Sequence, residues 1–288
     1  MVLPPEMIMA TIRGDLGALQ TFLDQHPERV DDVADEADPM AHRTMSQIAI
    51  MCLAAGPSRG VSAPQALQIM RFLLSRGANP NHGGEPHAPT LSLLAETCIN
   101  VWSEGVELLL QAGADPNLMC GQDPASSSNG QTHALALLLS TSWLSNDPEG
   151  RTPVEVVRDM RKCVELLLRN GAPLDFSFSG EICSLESQIL AMSYNGDDAA
   201  SVNAALGGVL DLAKAVRAAQ STSTSTRLTP WQKYCLVPPK ELLRLRSQIA
   251  RGKMVAAQST PQHLARLFSR SLPNEIAWRV LAFWNPRY

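Results

Sequence analysis

Three stretches of the chain carry the same order of apolar and polar positions. Residues 70–81 read MRFLLSRGANPN, residues 106–117 read VELLLQAGADPN and residues 164–175 read VELLLRNGAPLD. In each, a pair of leucines (Leu73 and Leu74, Leu109 and Leu110, Leu167 and Leu168) follows an apolar residue three positions earlier. That spacing builds one buried stripe along a helix. Gly77, Gly113 and Gly171 then fall where the helix must stop, because Gly enters the left-handed conformation without steric cost. The Asn, Asp and Pro that follow are turn formers. A weaker copy, LQTFLDQHP at 19–27, puts His26 at the stop. Four copies of one phrase predict a repeat architecture.

The stops at 26, 77, 113 and 171 are 51, 36 and 58 residues apart. The longer intervals must carry insertions. Residues 56–61 and 144–150 are rich in Gly, Pro, Ser, Asn and Asp and read as loops. Each precedes a helix start, Ser62-Ala63-Pro64-Gln65 and Thr152-Pro153-Val154-Glu155, with the form of a capping box and Pro in the first turn. Residues 118–129 read as a long finger, and 31–38 as an acidic, solvated turn. Residues 183–216 have helical composition around a turn at Asn195-Gly196, although Gly207-Gly208 weakens a helix there by about 1 kcal/mol per Gly. Residues 221–226, STSTST, read as a polar linker.

Beyond the linker the chain changes character. Thr229-Pro230-Trp231-Gln232 again has the capping-box form. Residues 239–249, PKELLRLRSQI, read as a basic amphipathic helix with Leu242, Leu245 and Ile249 on one face and its arginines solvated. Residues 260–284 carry two apolar stripes, Leu264, Leu267 and Phe268, then Ile276, Val280, Leu281 and Trp284. Charge divides in the same place. Residues 227–288 hold 11 Lys plus Arg and 2 Asp plus Glu, within a chain of 24 and 28 and net charge −4. Such a division predicts two units with different partners, or two units that attract each other.

Aromatic content is low, as in Ala/Leu-rich helical stacks. The start lacks a basic region and a continuous apolar core, so no signal peptide is expected. No apolar run approaches the about 18 residues of a membrane span. The six cysteines (52, 98, 120, 163, 183 and 235) form no CxxC pair, so zinc and disulfide frameworks are not expected, and buried thiols in the cytosol or nucleus are.

The phrase LLxxGAxPN resembles the end of an ankyrin repeat, whose usual length is about 33 residues. Ala10, Gly14 and Leu19 match the opening pattern of the same family. Thr44, Thr90 and Thr132 stand where the family has the helix-capping Thr of TPLH. They would open inner helices at 44–53, 90–97 and 132–139, and the Pro that normally follows is missing from all three. The resemblance implies an all-α ankyrin solenoid over 1–220, with 183–216 as a degenerate fifth repeat, then the 221–226 linker and a basic helical region at 227–288. It also implies protein binding, with a partner on the finger turns and inner helices. The finger residues expected to bind are Asn81, His82, Asn117, Leu118, Met119, Phe176 and Phe178; the two phenylalanines could instead pack on the next repeat.

A second resemblance lies at 271–284. Leu272-Pro273-Asn274-Glu275-Ile276, then Val280-Leu281 and Trp284, is similar to the opening of an F-box, a truncated form of which closes ankyrin proteins of poxviruses and some intracellular bacteria. It implies a substrate receptor that docks a cullin-RING ubiquitin ligase adaptor through Leu272, Pro273, Glu275, Ile276, Val280, Leu281 and Trp284. Residues 260–266 with the LP segment are also similar to a suppressor-of-cytokine-signalling box, with Pro261 and Ala265 departing from its pattern. The alternative for the same residues is a cap on the open end of the solenoid.

Catalytic motifs are missing. GxxxxGK[ST] and GxSxG are both absent, and the six His are isolated. His82, Glu85 and His87 share a loop without a fourth ligand, which reads as solvation. The chain is therefore expected to be no enzyme, to need no metal or cofactor, and to act as a monomer. Nucleic-acid and membrane-surface roles for the basic tail are secondary to a solvated amphipathic face.

Overall fold

The computed structural model describes residues 2–54, 61–83, 91–120, 132–139, 150–178, 181–192, 194–196, 198–222 and 228–251. The fold is mostly helical, with two short antiparallel strand pairs. The chain divides into two compact units, Met1–Ala213 and Lys214–Tyr288, and the boundary falls inside a helix.

The first unit is built from helical hairpins. α1 (Pro5–Arg13) packs on α2 (Leu16–Gln25), α3 (Met45–Ala54) on α4 (Ala63–Ser75), α5 (Leu93–Ile99) on α6 (Ser103–Gln111), and α7 (Ala134–Leu138) on α8 (Pro153–Arg169). The hairpins stack on one another. α3 lies between α1 and α5, and α7 packs on the far side of α5, forming an inner row. α6 lies between α4 and α8 in an outer row. The inner helices α5 and α7 are buried almost throughout, from Ser92 to Cys98 and from Ala134 to Leu139. Each outer helix buries one stripe: Ile69, Met70 and Leu73 in α4; Val106, Leu109 and Leu110 in α6; Met160, Val164, Leu167 and Leu168 in α8. These are the leucine pairs of the repeated phrase, and in α4 the second member, Leu74, stays half-buried.

The stops are made alike. Gly77, Gly113 and Gly171 have φ of 93°, 93° and 96°. Their N–H groups donate to Leu74, Leu110 and Leu168 at 3.1, 3.1 and 3.2 Å, and the following alanines donate to Leu73, Leu109 and Leu167 at 3.0, 2.9 and 3.0 Å. Orphan carbonyls at three helix ends are thereby satisfied. His26 ends α2 without a left-handed residue, at φ −135°, and hands over to a 3-10 turn at Pro27–Arg29.

The starts were only partly anticipated. Ser62 with Gln65, Thr152 with Glu155 and Thr229 with Gln232 pair as expected, the N3 side chain accepting the cap N–H at 3.1, 2.9 and 3.0 Å. Thr44 likewise pairs with Gln47. The third inner helix, however, starts at Leu93 and is capped by Ser92, whose Oγ accepts from the Ala95 N–H at 3.2 Å; Thr90 lies outside the described residues. The fourth inner helix starts at Ala134 with His133, not Thr132, at the N-cap position. Thr132 pairs with Cys120 in a two-residue ladder of β1 (Met119–Cys120) and β2 (Thr132–His133); beyond Cys120 the finger expected at 118–129 lies outside the described residues. The stretches expected to be loops, 56–61 and 144–150, lie outside the described residues except for Val61 and Gly150.

A second strand pair, β3 (Asp175–Phe178) and β4 (Glu181–Ser184), follows the last stop, with Phe176 opposite Cys183. α9 (Leu185–Ala191) begins at once, capped by Ser184. α10 (Ala199–Thr222) then runs unbroken through Gly207 and Gly208, so Ser221 and Thr222 are helical and not linker. By length and composition α10 could cross a bilayer, contrary to the expectation that no segment qualifies. Its Ala, Leu and Val content raises hydropathy without making all faces alike. The buried residues, Val202, Leu206, Val209, Ala213, Val216 and Ala219, form one stripe at helical spacing.

In the second unit, α11 (Pro230–Ala250) starts at the Thr229 cap and continues through Pro238 and Pro239. The expected helix at 239–249 is therefore the second half of a longer one. Pro fits helical φ but has no N–H, so the bonds to the Tyr234 and Cys235 carbonyls are forgone. Arg246 is buried, not solvated, whereas Arg244 is exposed. Leu245 and Ile249 are half-buried.

Candidate functional site

The turns that follow the stops form a ladder from one hairpin to the next. Both carboxylate oxygens of Asp31 accept the Asn79 N–H at 3.1 Å. One turn further, Asn81 Oδ1 accepts the Asp115 N–H at 2.8 Å, and its Nδ2 donates to the Gly113 carbonyl at 3.4 Å. Within each turn the same residues close a local ring, Asn81 N–H to Asn79 Oδ1 at 3.0 Å and Asn117 N–H to Asp115 Oδ1 at 2.9 Å. The next rung would need an N–H at position 173, and Pro173 has none. The local ring fails there for want of a side-chain acceptor. The chain goes into the β3–β4 pair instead.

This geometry sorts the residues expected to bind a partner. Asn81 is held by the ladder, so its amide faces the neighbouring turn. Phe176 is 2% exposed and belongs to the core, which corrects its assignment to the binding surface. An alternating strand buries every second residue, and position 176 falls on the inner face. Asn117 is exposed; His82 and Leu118 are half-buried. Met119 lies in β1 opposite His133, and Phe178 in β3 opposite Glu181; their side chains are outside the described set. Leu272, Pro273, Glu275, Ile276, Val280, Leu281 and Trp284 also lie outside the described residues, as do Glu85 and His87.

Several features escaped the sequence. Ile182 on β4 is 86% exposed and Leu190 on α9 is 65% exposed, the two largest apolar exposures among the described residues. The EICS pattern of β4 could have flagged Ile182 as the outward partner of a half-buried Cys183. A groove of about 340 Å³ lies between α6 and α8, lined by Glu104, Glu107, Lys162, Glu165 and Arg169 with Ser103 and Leu166. Arg169 donates to Glu165 at 2.5 Å, and Gln111 to Glu107 at 3.2 Å.

A strained turn also stands out. Val101 joins α5 to α6 at φ 48°, where Gly14 joins α1 to α2 at φ 71°. Both turns use the same two bonds: Gly14 to Thr11 and Asp15 to Ala10, Val101 to Cys98 and Trp102 to Thr97. A β-branched residue is disfavoured there. Arg151 clamps the turn, donating to the Val101 carbonyl at 3.0 Å, the Asn100 carbonyl at 3.1 Å and Asp159 at 3.2 Å.

Burial governs the chemistry of the titratable groups. It pushes the Cys163 and Cys52 thiols up, which keeps them protonated. It lowers the His133 imidazole, against the field of Asp115. Glu155 is held below the ordinary carboxylate range by the Thr152 backbone and hydroxyl. Among the described residues no three His, Cys, Asp or Glu side chains converge as a metal-binding group. No protein-family model matches the chain, and no curated protein matches it.

Proposed function

We propose that the first unit is an ankyrin-type protein-binding module. The observation that carries this reading is the thrice-repeated helix stop with its rungs from turn to turn. One structural unit recurs, each copy buries its neighbour's apolar face, and the turns are left at the surface. Aligned turns and an inner row offer side chains to a macromolecule. The exposed apolar pair Ile182 and Leu190, with Asn117, His82 and Leu118, is the surface assigned to the partner. Paired with the sequence of 272–284, the module becomes a substrate receptor: the hairpins hold a protein, and the F-box-like segment docks a cullin adaptor. The sequence Leu272-Pro273-Asn274-Glu275-Ile276 supports this second part.

The test is capture from a eukaryotic lysate by the full chain and by two variants. One carries Ile182→Ser with Leu190→Ser, the other Ile276→Asp with Leu281→Asp, each checked for folding by circular dichroism. The reading expects the first variant to lose the bound protein and keep the cullin, and the second to do the reverse. A second variant that captures the same proteins as wild type, or a wild type without a cullin, removes the ligase part and leaves a binding scaffold.

A further inference from the structure

Glu96 sits in the middle of α5 and is only 7% exposed. Its Oε2 is buried without a hydrogen-bond partner. Nε of Arg43, just before α3, is buried in the same condition. Arg43 belongs to the second hairpin and Glu96 to the third, and α3 packs on α5. A buried carboxyl oxygen and a buried guanidinium nitrogen without partners on adjacent hairpins are each costly. We propose that Arg43 and Glu96 are the two halves of an inter-hairpin ion pair, open while Glu96 is protonated and closed when it ionises.

Among the described residues the surroundings leave Arg43 as the counter-charge. α3 carries no charged residue, and its one titratable group is the buried Cys52 thiol. α7 carries none, with His133 preceding it, and α6 offers Glu104 and Glu107, both exposed. On α5 itself the other titratable group is the buried Cys98. Burial raises the Glu96 carboxyl to about 8, and the field of Arg43 opposes that rise. The folded protein thus keeps this proton to a higher pH than the unfolded chain. The stabilisation is complete below the ordinary carboxyl range and is lost as pH rises through about 8. Above that, the ionised carboxylate is left to Arg43, and closing the pair recovers part of the loss.

A double-mutant cycle tests this, with Glu96→Gln, Arg43→Met and the double variant followed by denaturant unfolding. The expected coupling is absent at about pH 6 and at least about fivefold in the folding constant at about pH 9.5. Equal coupling at both values, or none at the higher, overturns the proposal. Should Arg43→Met not fold, wild-type guanidinium NMR decides. An Arg43 Nε–H resonance that shifts between about pH 6 and about pH 9.5, and does not shift in Glu96→Gln, supports the pair; an Arg43 Nε–H indifferent to pH over that range overturns it.

Discussion

At the scale of single residues, backbone conformation decides most. Gly77 and Gly113 have open space where a Cβ would go, so substitution meets no clash and the cost is conformational. Gly113→Ala is expected to lower stability by about 1 kcal/mol. Gly207 also has open space but lies inside α10, so Gly207→Ala is expected to raise stability by about 0.5–1 kcal/mol. Urea midpoints of the two variants should therefore move in opposite directions. Arg151 is a harder case. Arg151→Met removes the donors to the Asn100 and Val101 carbonyls and leaves the Val101 turn unclamped. A loss of about 2–3 kcal/mol in thermal or urea unfolding is expected, because carbonyls served by a charged donor lose it together. The left-handed glycines were legible because their conformation demands the residue. Val101 was not, since a β-branched residue at positive φ is tolerated through a clamp some fifty positions away in sequence.

At the scale of elements, the ladder explains why the fourth turn differs from the second and third. Asn117 stands where Asn81 does, but Pro173 replaces the donors Asn79 and Asp115. Pro173→Asn supplies both the missing N–H and the side-chain acceptor. In that background Asn117→Ala is expected to cost about 1 kcal/mol, against less than about 0.5 in wild type. Asn81→Ala in wild type is expected to cost about 1 kcal/mol, because its rung exists. Helix existence was legible from the apolar stripe, and three of the caps from their box. Exact starts were less so. Thr90 and Ser92 are both capping residues two positions apart, and the helix takes the later one. The helix was expected only from residue 239, yet α11 starts at Pro230 and passes through Pro238 and Pro239, since proline costs hydrogen bonds without forbidding helical φ. The binding residues were least legible. A Phe on a strand shows its type but not its face, and Phe176 turned inward.

At the scale of the whole molecule, two compact units coincide with an uneven charge distribution, the basic excess falling after residue 226. Among the described residues the main contacts of each hairpin in the first unit are with its neighbours, so stability approximates a sum over hairpins and interfaces. Hydrogen exchange is expected to be slowest in α5 and α7, which are buried nearly throughout. The proposed partner of the first unit is a protein held on the surface carrying Ile182 and Leu190. Retention of captured proteins by wild type and by the Ile182→Ser, Leu190→Ser variant, at equal helicity and thermal stability, tests this. At least one protein held by wild type should be lost by the variant. Identical retention by both folded proteins would contradict it.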